Sequence, residues 1–151
     1  MHRKDEFLRL ALSNPANAAV IERLAAMDVP DAWLVSGSLF QSIWNGLTGR
    51  NPAHGIADHD VFYFDPDTSW EAEDAVIRRA ASAFADLGVE VQLRNQARVH
   101  LWYPEKHGRP YPQMRGATQS LGHFLAPCCA VALRKGAGGY ELEAPFGLDD
   151  L

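Results

Sequence analysis

The segment Asp58-His59-Asp60-Val61-Phe62-Tyr63-Phe64 constrains this chain more than any other. Its branched and aromatic residues suit a strand, and the turn Asp65-Pro66-Asp67 closes it. Side chains alternate across a strand, so Val61 and Tyr63 oppose Phe62 and Phe64. A strand apolar on both sides belongs inside a sheet that is covered on both faces. Asp58 and Asp60 share one of those faces, where their oxygens can converge on a hard cation. Two carboxylates at the mouth of such a strand are costly unless a metal or hydrogen-bond donors compensate them. The alternative places them in the solvated end of a loop, where Asp is common. His59 alternates away from both, into packing or a hydrogen bond.

The remaining elements follow from period and punctuation. Asn14-Pro15 supplies a cap and a first-turn proline between a short amphipathic helix (Phe7, Leu8, Leu10, Ala11) and a helix over Ala16 to Met27. Ala32-Trp33-Leu34-Val35 reads as a buried strand that stops at Ser36-Gly37-Ser38. Leu39, Phe40, Ile43, Trp44 and Leu47 then recur at helical spacing. Gly46 to Gly55 is a loop. Thr68 and Glu71 form a capping box for a helix to about Leu87, with Gly88 as its terminator. Val89 to Arg94 alternates as a third strand, with Glu90, Gln92 and Arg94 on its polar face. Asn95 caps a helix over Gln96 to Tyr103, although Val99, Trp102 and Tyr103 suit a strand equally well. Arg109 to Gly116 is a loop, Thr118 to Leu125 a short helix, and Cys128 to Leu133 a strand pairing with Tyr140 to Glu143. The expected fold is α/β, a mixed sheet flanked by helices.

Length and charge limit the function. The 151 residues suffice for one domain over 1–151 with a core of its own. Lys and Arg total 14 against 19 Asp and Glu, a net charge of −5 with no basic run, which disfavours nucleic acid as partner. Cys128 and Cys129 are adjacent and build no disulfide framework, which fits a reducing cytoplasm. No apolar run reaches the ~20 residues of a membrane span. His54, His59 and His100 are too scattered for a zinc pattern.

Gly37-Ser38 adds a second half to the acidic motif. Glycine lets backbone approach a ligand, and the free N–H groups of a first helical turn bind anions, to which the Ser38 hydroxyl can add a bond. Alternatively Gly37 only makes the turn and Ser38 only caps the helix. A Gly-Ser pair opening a helix followed by an Asp-x-Asp strand resembles the nucleotidyltransferase superfamily that includes DNA polymerase beta. The surroundings, Gly37 to Asn45, Asp58 to Asp65, Asn95 to Tyr103 and Ala144 to Leu148, are similar to an uncharacterised bacterial single-domain family within it. Two departures stand out. Residues 39–57 separate the two motifs more widely than is usual there, so the loop from Gly46 to Ala57 forms part of the rim. The chain stops at Leu151 where relatives continue, so either a C-terminal segment that carries acceptor-binding elements has been cut off or the protein is naturally short.

The resemblance implies a polymerase-beta-like fold and transfer of an NMP group from a nucleoside triphosphate by two Mg2+ (or Mn2+) ions. Asp58 and Asp60 would hold the metal with Glu90, because the superfamily takes its third acid from that strand; otherwise Glu90 is a solvent-facing strand residue. Gly37 and Ser38 would cradle phosphate. Arg94 and Arg98 could offset charge near the triphosphate or make surface ion pairs. Trp102 and Tyr103 could stack on a base or pack as an apolar helical face. The acceptor would be a small molecule or a protein. The other reading is a nucleotide-binding module without catalysis.

Overall fold

Asn14 ends one helix and starts the next: its side chain accepts from the Ala16 N–H (3.0 Å) with Pro15 in the first position. In the computed structural model, which describes residues 3–123 and 130–148, these helices are α1 (Arg3–Leu12) and α2 (Pro15–Met27). They lead into β1 (Trp33–Val35), α3 (Gly37–Leu47), β2 (Asp58–Tyr63), α4 (Trp70–Ala83), β3 (Glu90–Asn95), α5 (Val99–His107), β4 (Ala132–Gly136) and β5 (Gly139–Glu143). Single 3-10 segments occupy Ala85–Leu87, Gln96–Arg98 and Ala117–His123.

Several expected boundaries move for local reasons. The α4 cap is Ser69 and not Thr68, since the Ser69 side chain takes the Ala72 N–H (3.2 Å) while the Thr68 carbonyl accepts from Arg98 (2.9 Å). The helix ends at Ala83, and a 3-10 turn carries the chain to Gly88, whose φ of 69° only glycine adopts without strain. Asn95 caps as expected, accepting from Ala97 N–H (3.0 Å), but the first turn is 3-10 and the helix then runs past Pro104 to His107. Ala117–His123 is 3-10 where an α-helix was expected. The strand expected from Cys128 begins only at Ala132; Cys128 and Cys129, like Phe124 and Leu125, lie outside the described residues.

The sheet order is β3-β2-β1-β4-β5, with β2 and β3 parallel and every other pair antiparallel. The strand apolar on both sides is therefore internal. On one face Leu34, Val61, Tyr63, Leu93 and Leu133 join Val20, Ile21, Leu39 and Val76 of the helices in the main core. The opposite face carries a smaller cluster, Trp33, Val35 and Ala132 under Ala117 and Leu121, with Phe62 and Phe64 packed against it. One face is thus covered by helices and the other only in part, which leaves room for a site.

Candidate active site

Register brings the two motifs together. Val35 pairs with Asp60 across the antiparallel β1–β2 ladder, and the chain leaves β1 there, turns at Ser36 and begins α3 at Gly37. The start of α3 and the head of β2 thus share one end of the sheet. In the parallel β2–β3 ladder Asp58 pairs with Glu90, Asp60 with Gln92 and Phe62 with Arg94. Cross-strand partners share a face about 4.8 Å apart, so Asp58, Asp60, Glu90, Gln92 and Arg94 form one polar row on the less covered face. Asp58 and Glu90 are exposed, whereas Asp60 is half-buried.

Burial, then the neighbouring Asp58 and Glu90 charges, push the Asp60 carboxyl above the ordinary carboxylate range, with Arg94 pulling the other way. A divalent cation would relieve that crowding, and three hard oxygen donors are the ligand chemistry that Mg2+ takes. In this structure Glu90 Oε1 instead accepts from Gln92 Nε2 (3.0 Å). Among the described residues no three His, Cys, Asp or Glu side chains close on a point as a metal cluster does.

Neither bland role of the Gly-Ser pair holds. The chain turns at Ser36, whose φ of 62° and ψ of −125° are strained for a non-glycine residue, and Ser36 is also the N-cap, with no side-chain cap bond. A Cβ on Gly37 would meet no described residue within 4 Å, so neither packing against these residues nor conformation demands glycine there. Ser38 is 2% exposed and its hydroxyl has no partner among the described residues. The Leu39 and Phe40 N–H groups reach the Ser36 carbonyl (3.0 and 3.3 Å), whereas those of Gly37 and Ser38 precede the first intrahelical bond.

A buried polar network holds this end. Asn17 Nδ2 donates to the Ser38 carbonyl (3.3 Å), to the Ala11 carbonyl (2.9 Å) and to Ser42 Oγ (3.1 Å). Asn45 Nδ2 donates to the Pro52 and His54 carbonyls (3.0 and 2.9 Å), fastening the loop that delivers Asp58. Sequence reasoning passed over Asn17, Ser42 and Asn45. The available signal was a polar stripe at positions 38, 42 and 45, one helical face of an otherwise apolar helix.

The two arginines part company. Arg94 stays on the acidic face. Arg98 is held by Glu73 Oε1 (2.5 Å) and the Thr68 carbonyl (2.9 Å), close to the Tyr63 hydroxyl of the helix-covered face, and is not brought to the acidic row. Burial first, then Glu73 and Asp65, raise the Tyr63 phenol well above its usual range. Trp102 and Tyr103 line a cleft of about 340 Å³ with Phe62, Arg94 and Arg109, the last from the loop after α5. No helix among the described residues is long and apolar enough to cross a membrane.

A family model described as "Nucleotidyltransferase" matches residues 22–151. Comparison with curated protein sequences yields no match. A solved structure described as revealing "a CCA-adding enzyme head domain" is similar at 26% identity with a TM-score of 0.76, over 95% of this chain and 72% of that one. The mixed sheet is accordingly the polymerase-beta-like nucleotidyltransferase fold.

Proposed function

The chain belongs to this nucleotidyltransferase family, and from that premise we propose that it moves an NMP group from an NTP to a small-molecule or protein acceptor at the Asp58, Asp60 and Glu90 row. The observation that carries the reading is the register: one ladder sets Glu90 beside Asp58, and another sets the start of α3 at the same sheet end. The resemblance to a CCA-adding head domain supports an NTP as donor. Gly37 and Ser38 receive phosphate oxygens through their first-turn N–H groups and the Ser38 hydroxyl, unpartnered among the described residues. Asp58, Asp60 and Glu90 would hold Mg2+ or Mn2+, which supplies positive charge to the reacting phosphate and acidifies the acceptor. Arg94, on the same face, offsets charge that builds on the phosphoryl oxygens. The acceptor hydroxyl gives its proton to water, its oxygen bonds to the α-phosphorus, and the bond to the bridging oxygen breaks as pyrophosphate leaves with the electron pair.

A second reading, a nucleotide-binding module without catalysis, draws on one observation: Glu90 is exposed and engaged with Gln92. Pyrophosphate release from each NTP with Mg2+ or Mn2+ separates the two, with wild type, Asp60→Asn and Glu90→Gln compared. Transfer predicts release by wild type, with a fall of about two orders of magnitude or more in kcat for Glu90→Gln and little change in KM. Asp60→Asn should also lose metal-dependent nucleotide binding. Equal rates for Glu90→Gln remove Glu90 from the site; binding without release from wild type favours the module.

A further inference from the structure

The cleft beside the acidic row shares Arg94 with the site and adds side chains that the transfer chemistry does not use. Its wall is aromatic: the Tyr103 and Tyr111 rings lie 4.8 Å apart, and Trp102 and Tyr103 lie 6.1 Å apart. It also holds two guanidinium groups, Arg94 and Arg109. Arg23, Arg78, Arg98 and Arg134 are each paired with a carboxylate, whereas neither Arg94 nor Arg109 is in a salt bridge with a described residue. Arg94 acts on Asp60 from the next rung, and Arg109 has no carboxylate partner among the described residues; in a chain of net charge −5, two such arginines in one aromatic cleft ask for an anion.

The cleft also lies in the right direction. Displacement at phosphorus is in line, so the nucleophile enters opposite the leaving pyrophosphate. α3 begins beyond Val35, at the Asp58 end of the row, while the Phe62–Arg94 rung that opens the cleft lies two residues, about 7 Å, beyond the Asp60–Gln92 rung. With the outer phosphates on α3 and the α-phosphorus over the carboxylates, the entering group comes from the cleft side.

We infer that the cleft walled by Phe62, Arg94, Trp102, Tyr103, Arg109 and Tyr111 binds the acceptor, a small molecule joining a flat ring to a carboxylate or phosphate. The assignment rests on the nucleotidyl-transfer reading and deepens it. Its volume of about 340 Å³ is at the small end of ligand pockets and suits one ring system. The rings supply stacking faces and the guanidiniums fix the anion, which together turn a hydroxyl on the ring toward Asp60.

Calorimetric titration with phenyl phosphate and benzoate as probes tests this, with benzyl alcohol and inorganic phosphate as controls lacking one feature each. Mg-ATP is titrated in parallel. Both ring anions should bind more tightly than either control. Arg109→Gln, a change in an exposed loop, should weaken them at least tenfold, and Tyr103→Ala comparably, while Mg-ATP affinity stays unchanged. Equal binding of the controls overturns the ring-anion chemistry, and so does failure of both ring anions to bind. Competition between phenyl phosphate and Mg-ATP, or loss of Mg-ATP binding in Arg109→Gln, assigns the cleft to the nucleotide. Tighter binding of a short single-stranded RNA than of either ring anion replaces the small molecule with a polymer. Loss of Mg-ATP binding in wild type refutes the transfer reading itself, whatever the ring anions do.

Discussion

Replacing Glu73 with Ala tests the assignment of Arg98 to structure. The Glu73 and Arg98 side chains are 15% and 14% exposed, and Glu73 accepts from both Arg98 (2.5 Å) and the Asn95 backbone N–H (2.8 Å). Removing one partner of a buried ion pair typically costs about 3–5 kcal/mol, because the other charge is left uncompensated. Leaving the Asn95 N–H without an acceptor adds about 1 kcal/mol or more. Arg98 keeps the Thr68 carbonyl, and residual exposure lets water reach the guanidinium, so the total belongs near the lower end, at about 3 kcal/mol. With an unfolding entropy of about 2.1 cal/mol/K per residue, a 151-residue chain should lose roughly 10 °C in Tm. Scanning calorimetry and urea titration of wild type, Glu73→Ala, Arg98→Met and the double variant measure the loss. The two single costs should fall short of additive by at least ~1 kcal/mol. Mg-ATP affinity measured below the transition should be unchanged in every variant. A loss under about 1 kcal/mol would refute the buried-pair argument, and a folded Arg98→Met protein that no longer binds Mg-ATP would return Arg98 to the nucleotide.

Two further outcomes follow from groups at the sheet end. Gly37→Val should change stability by no more than about 1 kcal/mol, since no described residue lies within 4 Å of its Cβ position, yet abolish Mg-ATP binding; unaltered affinity by calorimetry would refute the cradle. His59 is 1% exposed with neither ring nitrogen partnered among the described residues, and burial lowers its pKa from 6.5, the nearby Asp58 charge opposing. The unfolded chain therefore binds a proton that the native state refuses. Stability is full above about 6.5 and falls as pH drops below it, by up to ~1.4 kcal/mol per unit. His59→Leu should flatten that slope in urea titrations from pH 7 to 5, and an unchanged slope would refute the assignment.

Strand and helix identities were readable because apolar period is a local property. Asp58 to Phe64 announced an internal strand, and Val89 to Arg94 announced an alternating one. What period cannot give is register, and register sets Glu90 beside Asp58 and brings the end of β1, where α3 starts, to the same end of the sheet. Arg94 and Arg98 look equivalent in sequence, four residues apart. They diverge because the strand ends at Asn95 and the chain then turns toward Glu73, a partner 25 residues away. The Asn17, Ser42 and Asn45 network was hidden for a related reason: a polar residue on an apolar helical stripe discloses its burial only once its acceptors, Ser38, Pro52 and His54, are near.

Asp31 is a fastening with consequences for the order in which this molecule opens. Held at φ 48°, it accepts from the Trp33 indole and Arg134 through one oxygen and from the Ala117 N–H through the other. The 3-10 segment covering the less protected sheet face is thus tied to the rest by contacts 86 residues apart in sequence, while the helix-covered face is secured by a much larger apolar core. Such asymmetry makes the site face a separate opening unit. Amide hydrogens of residues 117–123 should exchange through sub-global openings, ahead of those in β2, which await global unfolding. Loosening Asp31 would then uncover the Trp33, Val35 and Phe62 side chains beside the carboxylates while the helical half of the protein stayed closed, so order at the site face and stability of the fold are separable quantities here.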